Sequence, residues 1–394
     1  MSDSTRILVT GANGQVGHEL LRALAGRLRD GIPPPLRGDS LPVEGGEPAG
    51  VRFHPLRNEG GRASARGDVE PPREIIPATR TGSLEDGSSC ERMDLADLDT
   101  LPHALDRIAP DLIINAAAYT AVDRAEDEPE LAQRINGDAL GVIGAWAKRH
   151  DARVVHYSTD YVFDGSATRP YREDDATHPV SAYGRSKLAG ETALRGSGAR
   201  HLILRTAWVY AARGHNFLRT MLRLGAERDA LRVVDDQLGA PTPAGLIADV
   251  TARVVAGWHT PPSTGRGGAT ANAPKAWLRR TLTPFQGKEV AVPAESRHGG
   301  GMPTLDGTYH LVASGQTSWC DFARAIFERA QRAGLITRAP HVEAIRTADY
   351  PTRAARPAYS VLDTSKLRAA FGVTLPDWKA ALDGVMDEVA NVGS

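Results

Sequence analysis

The stretch SAYGRSKLAGE, residues 181–191, sets Tyr183 four positions ahead of Lys187. Residues i and i+4 share one face of a helix, so a phenol and an ammonium there would meet a single ligand. The pair suits proton transfer. A cation beside a phenol favours the phenolate and lowers its pKa, which eases proton donation to a developing alkoxide near neutral pH. Two solvated side chains on an exposed turn would carry the same spacing, and with nine Tyr and six Lys the match is weak by itself. It is the only Tyr-x-x-x-Lys in the chain, so its surroundings decide its meaning.

Three further groups surround it. In HYSTDYVFDG, Thr159 follows an apolar run and lies 24 residues before Tyr183. A hydroxyl there would hold a carbonyl oxygen while a nicotinamide delivers hydride. GANGQVG places Gly11, Gly14 and Gly17, with Gln15 and Val16 between them, after one apolar run and before an amphipathic one. Such glycines let the backbone turn tightly and approach a pyrophosphate, which the following helix N-terminus favours; a plain turn between strand and helix is the plainer alternative. In NAAAYT, residues 115–120, Ala116 and Ala118 are small, as a strand end close to a cofactor requires.

Cofactor choice hangs on the end of the second strand. An acidic residue for a ribose 2′-hydroxyl is not evident in ATRTG, which offers Arg80 instead. An arginine there pairs with a 2′-phosphate and favours NADPH over NADH. Asp94, in ERMDLAD, is set to receive the amino group of adenine.

The elements that must position these residues alternate. RILVT leads to a helix with Leu20, Leu21, Leu24 and Leu28 on its apolar side; EIIPATRT, DLIINAAAYT, RVVHYSTDYVF and HLILRTAWVY read as further strands, with helices between. Continuous apolar strands alternating with helices predict an α/β fold, a Rossmann-like doubly wound parallel sheet covered on both faces. Residues 1–210 form the dinucleotide-binding part. Residues 211–394 form mainly a smaller substrate-binding domain, with a return to the first part around 231–258.

Two segments break the rhythm. Residues 30–73 hold eight Pro and eight Gly in 44 positions, and about 261–303 is similarly irregular. Both read as insertions at loops, where added length costs little stability. The formal net charge of −1 argues against a nucleic-acid surface. Cys90 and Cys320 lack metal-ligand spacing and read as free thiols. With no signal-like N-terminus and no long apolar run, the expectation is a cytoplasmic protein without a membrane span.

These residues resemble the extended short-chain dehydrogenase/reductase family. The resemblance rests on GANGQVGHELLRAL, NAAAYTAVDRAEDEPE, HYSTDYVFDG, YGRSKLAGE, HLILRTAWVYA, DQLGAPTPA and YPTRAARPAYSVLDTSKL, and covers nearly the whole chain outside the two insertions. It implies an NADPH- or NADH-dependent reduction of the 4-keto group of a dTDP-bound 6-deoxyhexulose, with Tyr183, Lys187 and Thr159 catalytic. Gly14, Gln15, Val16, Asp94, Leu95, Ala118, Tyr119 and Thr120 match cofactor-contacting positions, and Lys187 also matches the holder of the nicotinamide ribose. Thr159, Asp160 and Trp208 match substrate-contacting positions; Trp208 reads equally as a core aromatic or as a platform for a sugar or base. Metal-bearing relatives bridge two subunits through carboxylate-held magnesium. Glu19 and Glu388 keep two such positions, but the third is Gly245, so no essential metal is expected and a homodimer stays open.

Two rivals remain. Dehydratases of this family carry Asp-Glu after the threonine, whereas the residues here are Thr159-Asp160-Tyr161, and a phenol is a poor base near pH 7. A 4-epimerase is harder to separate by chemistry. The other rival is a non-catalytic cofactor-binding subunit like the regulatory subunit of methionine adenosyltransferase, against which the intact Thr159, Tyr183 and Lys187 argue.

Overall fold

The computed structural model describes residues 5–30, 73–258 and 305–392; apart from their end positions, the two expected insertions lie outside the described residues. In chain order β1 (Thr5–Thr10), α1 (Gln15–Asp30), β2 (Arg73–Thr79) and β3 (Glu91–Arg92) come first. There follow α2 (Thr100–Ile108), β4 (Leu112–Asn115), α3 (Pro129–Gln133) and α4 (Ala139–Arg149), the last two joined by a π-helical turn at Arg134–Asp138. Then come β5 (Arg153–Thr159), α5 (Ala182–Gly196) and β6 (Arg200–Thr206). The remainder begins with β7 (Val209–Tyr210), α6 (Phe217–Glu227), β8 (Ala230–Val234), β9 (Leu238–Gly239), β10 (Thr242–Pro243) and α7 (Ala244–Gly257). It ends with β11 (Gly307–His310), β12 (Thr317–Ser318), α8 (Trp319–Arg332), β13 (His341–Ile345), α9 (Ser365–Phe371) and α10 (Trp378–Val392).

Seven strands form one parallel sheet in the order β11-β6-β5-β4-β1-β2-β3. The apolar runs are continuous because both faces are covered. Ile7 and Val9 of β1, with Ile114, Val155 and Leu204, point to the side where α1 (Leu20, Leu24) and α7 (Ile247, Val250) pack. Leu8, Ile113, Val154 and Ile203 point the other way, onto α2 (Leu101, Leu105), α4 (Ile143, Trp146) and Leu194 of α5. Each such Leu or Ile removed from water contributes about 1.5–3 kcal/mol, enough to fix the register of strands whose side-chain period is two.

The second part is built around small pairings: β8 with β13, β7 with β10, and β9 with β12. Residues 231–234 therefore belong to β8 in this second part. The chain rejoins the main sheet through α7, which packs on α1, and through β11, its seventh strand. That edge strand, GTYH, is not among the strands read from the sequence. Among the described residues, no helix is long and apolar enough to cross a membrane.

Candidate active site

Strand order reverses at β1, which lies between β2 and β4, and open parallel sheets bind ligands at the carboxyl ends of the strands beside such a point. The glycine turn is located there. Gly11 has φ +66°, and a Cβ on it would come within 2.7 Å of the Ala117 amide nitrogen, so the turns after β1 and β4 touch. A Cβ on Gly17 would meet the Gly11 carbonyl oxygen at 2.1 Å, which closes helix α1 onto the turn. Gly14 is exposed; a methyl placed on it would have only the Gly11 carbonyl oxygen nearby, at 3.1 Å, so the α1 amides stay open to a ligand. These features fit a dinucleotide pyrophosphate: a bare backbone at a helix N-terminus with small residues opposite. Gln15 is steered by Asn216, whose Nδ2 donates to Gln15 Oε1 at 2.9 Å, while Val16 packs against the core.

The other expected cofactor positions line the same edge. Arg80 is exposed just beyond β2, and its loop is stitched to the glycine turn by Asn13 Nδ2 donating to the Ser83 carbonyl at 3.0 Å. Asp94 accepts from the Ala96 amide at 3.0 Å, and Leu95 is buried in the core. Ala116 and Ala118 are half-buried beyond β4, and Thr120 is exposed. Tyr119 is clamped through its backbone by Asn136 of the π-helical turn, at 2.9 and 3.0 Å, while its hydroxyl donates to Glu128 at 2.7 Å.

The reactive groups gather at the end of β5. Thr159 caps the short helix Asp160–Val162, accepting from the Tyr161 amide at 3.2 Å, and its hydroxyl donates to Asp160 Oδ1 at 2.9 Å. Helix α5 starts at Ser181, whose Oγ accepts from the Gly184 amide at 3.1 Å. Gly184 is needed because a Cβ there would meet the Tyr161 carbonyl oxygen at 2.2 Å; this close approach brings Tyr183 to Thr159. Tyr161 packs edge-on to Tyr183, with centroids 5.7 Å apart.

Burial pushes the Tyr183 phenol up to about 12; the Asp160 carboxylate adds to the rise and the hydrogen bond with Thr159 opposes it. The expected lowering by Lys187 is not found. The lysine amine turns instead to the Tyr157 carbonyl at 2.6 Å and to His156 Nε2 at 3.2 Å, and its cation does not offset the loss of solvent around the phenol. Burial lowers Lys187 itself to about 7, against the upward pull of Glu191. Burial likewise raises the Asp160 carboxyl to about 6, although the hydrogen bond from Thr159 draws it back. Its Oδ2 has no hydrogen-bond partner among the described residues.

Trp208 lies between β6 and β7. At φ +48°, it stacks on Trp319 with centroids 3.6 Å apart, and it lies so close to Gly239 that a Cβ there would come within 2.5 Å. The stack joins the residue before β7 to the first turn of α8, and the Trp208 ring stays partly buried. Glu19 and Glu388 converge, but Arg22 bridges them through Nη1 at 3.2 and 3.0 Å, with Gly245 beside Glu19. A guanidinium thus neutralises both carboxylates.

Sequence reasoning missed several residues that hold the site. His156 and Asn115 are buried polar groups; in β4, LIIN, Asn115 is the one polar residue and was an available signal, whereas in β5 His156 shares the strand with the polar Ser158 and Thr159. Asn136 also donates to Ser186 Oγ at 3.0 Å, tying Tyr119 to the catalytic helix, but nothing in RINGD marks a π-helical turn. Glu191, fully buried, takes Arg205 Nε and Nη2 at 2.9 and 2.8 Å and so pins α5 to β6.

Comparison with known proteins identifies the family and the fold. The model of the family described as RmlD substrate binding domain matches residues 68–271 and 291–391. The dTDP-4-dehydrorhamnose reductase of Escherichia coli (strain K12) is 41% identical over 296 residues, 75% of this chain and 85% of the relative. The dTDP-4-dehydrorhamnose reductase of Burkholderia thailandensis is 38% identical over 379 residues, 96% of each chain. The crystal structure of the dTDP-4-dehydrorhamnose reductase of Bacillus anthracis str. Ames in complex with NADP superposes with a TM-score of 0.66 at 26% identity, covering 98% of this chain and 99% of that one.

Proposed function

The chain belongs to the RmlD substrate binding domain family, and from that premise we propose that it reduces the 4-keto group of dTDP-4-dehydro-6-deoxy-L-mannose to dTDP-L-rhamnose, with NADPH or NADH as reductant. One observation supports the reading most: a hydroxyl, a phenol and a buried lysine gather at the end of β5, in the same parallel sheet whose β1 runs into a glycine turn shaped for a dinucleotide.

The reduced nicotinamide, when bound, supplies the hydride. Gly11, Gly14 and Gly17 with the first amides of α1 hold the pyrophosphate, Arg80 a 2′-phosphate, and Asp94 the adenine. Gln15, Val16, Ala116, Ala118, Tyr119 and Thr120 form the walls. Thr159, whose single hydroxyl proton goes to Asp160 Oδ1 in the structure, turns that proton to the substrate's carbonyl oxygen when substrate binds. Tyr183 gives its proton to the alkoxide. A phenol raised to about 12 stays protonated at working pH and yields only to a strong base, which the alkoxide is. Lys187, in its charged form, steadies the phenolate and holds the nicotinamide ribose. Where a dehydratase would need a carboxylate base, Tyr161 packs against Tyr183.

The test is consumption of reduced nicotinamide by the protein with dTDP-4-keto-6-deoxy-L-mannose, NADPH and NADH side by side, and Tyr183→Phe as control. Oxidation that falls by about 10²–10⁴-fold in the variant supports the reading. An unchanged rate in the variant removes Tyr183 as proton donor, and cofactor binding without turnover points to a non-catalytic subunit.

A further inference from the structure

A buried polar chain runs from the glycine turn to the catalytic lysine, and the reaction as described does not use it. Thr10, at the end of β1, lies with its Oγ1 2.5 Å from Asn115 Oδ1, at the end of β4. Asn115 Nδ2 is 3.1 Å from His156 Nδ1 on β5, and His156 Nε2 is 3.2 Å from Lys187 Nζ on α5. Thr10, Asn115, His156 and Lys187 are all nearly inaccessible to solvent.

The distances set the direction of each bond. A separation of 2.5 Å suits O–H···O, which spans about 2.5–3.0 Å, better than N–H···O at about 2.7–3.2 Å. Thr10 Oγ1 also receives the Ala117 amide, at 3.4 Å, so its own proton is free to go to Asn115. The amide oxygen of Asn115 therefore faces Thr10 and its NH₂ faces His156, which makes Nδ1 an acceptor. A neutral imidazole with Nδ1 accepting carries its proton on Nε2. That proton points at Lys187, which meets it with a lone pair while donating to the Tyr157 carbonyl at 2.6 Å.

We propose that His156 is a positioning residue for Lys187, locked by Thr10 and Asn115 as the Nε2–H tautomer, and that it makes the charge of the lysine conditional instead of permanent. The inference rests on the reductase reading above and assigns its lysine a state. Burial holds His156 well below the usual imidazole range, so the ring is neutral. Every other titratable group near Lys187 is accounted for. Glu191 and Tyr183 lie on its own helix, Tyr157 and Asp160 at the end of β5, and Arg205 of β6 neutralises Glu191. Among the described residues, only His156 bonds to the amine through a side chain.

The decisive measurement is direct. Protein labelled with ¹⁵N-histidine, without cofactor, is recorded at pH 8 in a two-bond proton–nitrogen correlation spectrum, which separates the two neutral tautomers by pattern. His156 is assigned as the pattern lost in His156→Gln or, should that variant not fold, as the one altered in Asn115→Asp. An Nε2–H pattern is expected, and an Nδ1–H or doubly protonated ring overturns the proposal. Asn115→Asp replaces the donor to Nδ1 with an acceptor and should convert the pattern to Nδ1–H. In the same variant the loss of kcat/KM with rising pH should move up by about one pH unit, a tenfold change in the lysine's proton affinity. A limb that stays in place overturns the proposal. The spectrum reads the tautomer even in a protein that turns over no substrate, so failure of the reductase reading stays separate.

Discussion

Glu191→Gln probes how the catalytic helix is held. Both carboxylate oxygens of Glu191 bind Arg205, at 2.9 and 2.8 Å, and Arg195 adds a third contact at 2.9 Å. Glu191 is wholly buried and the Arg205 side chain is only 3% exposed, so solvent cannot replace the lost charge. Breaking a buried pair from one side costs about 3–5 kcal/mol, chiefly through the charge left behind. For a chain of this size that lowers Tm by roughly 4–6 °C, read by scanning calorimetry. The sign with pH follows. Burial pushes the Glu191 carboxyl up but Arg205 overrides it, leaving it below the ordinary 4.5. Its contribution is therefore present above pH 4.5 and lost as pH falls through the depressed value, so the deficit of the variant is full at pH 7 and shrinks in acid. Replacing both partners, Glu191→Leu with Arg205→Met, should recover most of the loss, because a packed apolar pair leaves no charge stranded. A single variant within about 1 kcal/mol of the parent, or a double variant no better than the single, would refute the reasoning.

Gly17→Ala forces a methyl to 2.1 Å from the Gly11 carbonyl oxygen, so the turn must open; NADPH affinity, followed by fluorescence titration, should fall at least about tenfold. Arg80→Ala should weaken NADPH by about 1.5–3 kcal/mol while leaving NADH binding nearly unchanged, and a parent protein that already prefers NADH more than about tenfold would exclude the role. Asp160→Asn should stabilise the fold in a pH-dependent way. With its carboxyl raised from 3.8 to about 6, Asp160 destabilises increasingly as pH climbs through that window, by about 3 kcal/mol above it. Melting curves should thus separate from the parent at pH 8 and coincide at pH 3, while the amide oxygen introduced by the substitution still accepts the Thr159 proton.

Much of this protein is local and was legible in one dimension. The run RILVT before GANGQVG means a buried strand, a tight turn and a helix wherever it occurs, because the apolar period and the glycine conformations are properties of a few neighbouring residues. Gly11 at φ +66° and the parallel β1–β2–β4 core bear that out. Tyr183 and Lys187 share one helix, so their proximity needed no tertiary knowledge. Other matters depend on what lies across a contact. Lys187 was expected to lower the phenol's pKa; its amine is instead claimed by the Tyr157 carbonyl and His156, groups brought near only when β5 packs under α5, and burial governs both pKa values. Trp208 reads as core or platform in the sequence, and its stack on Trp319, 111 positions later, exists only in the fold. The edge strand β11 escaped notice because GTYH is short and has no pattern until it pairs with β6. The residues that do chemistry and the elements that carry them are written in neighbouring letters. Their charge states are not, because solvent exclusion and distant partners exist only once the chain has closed on itself.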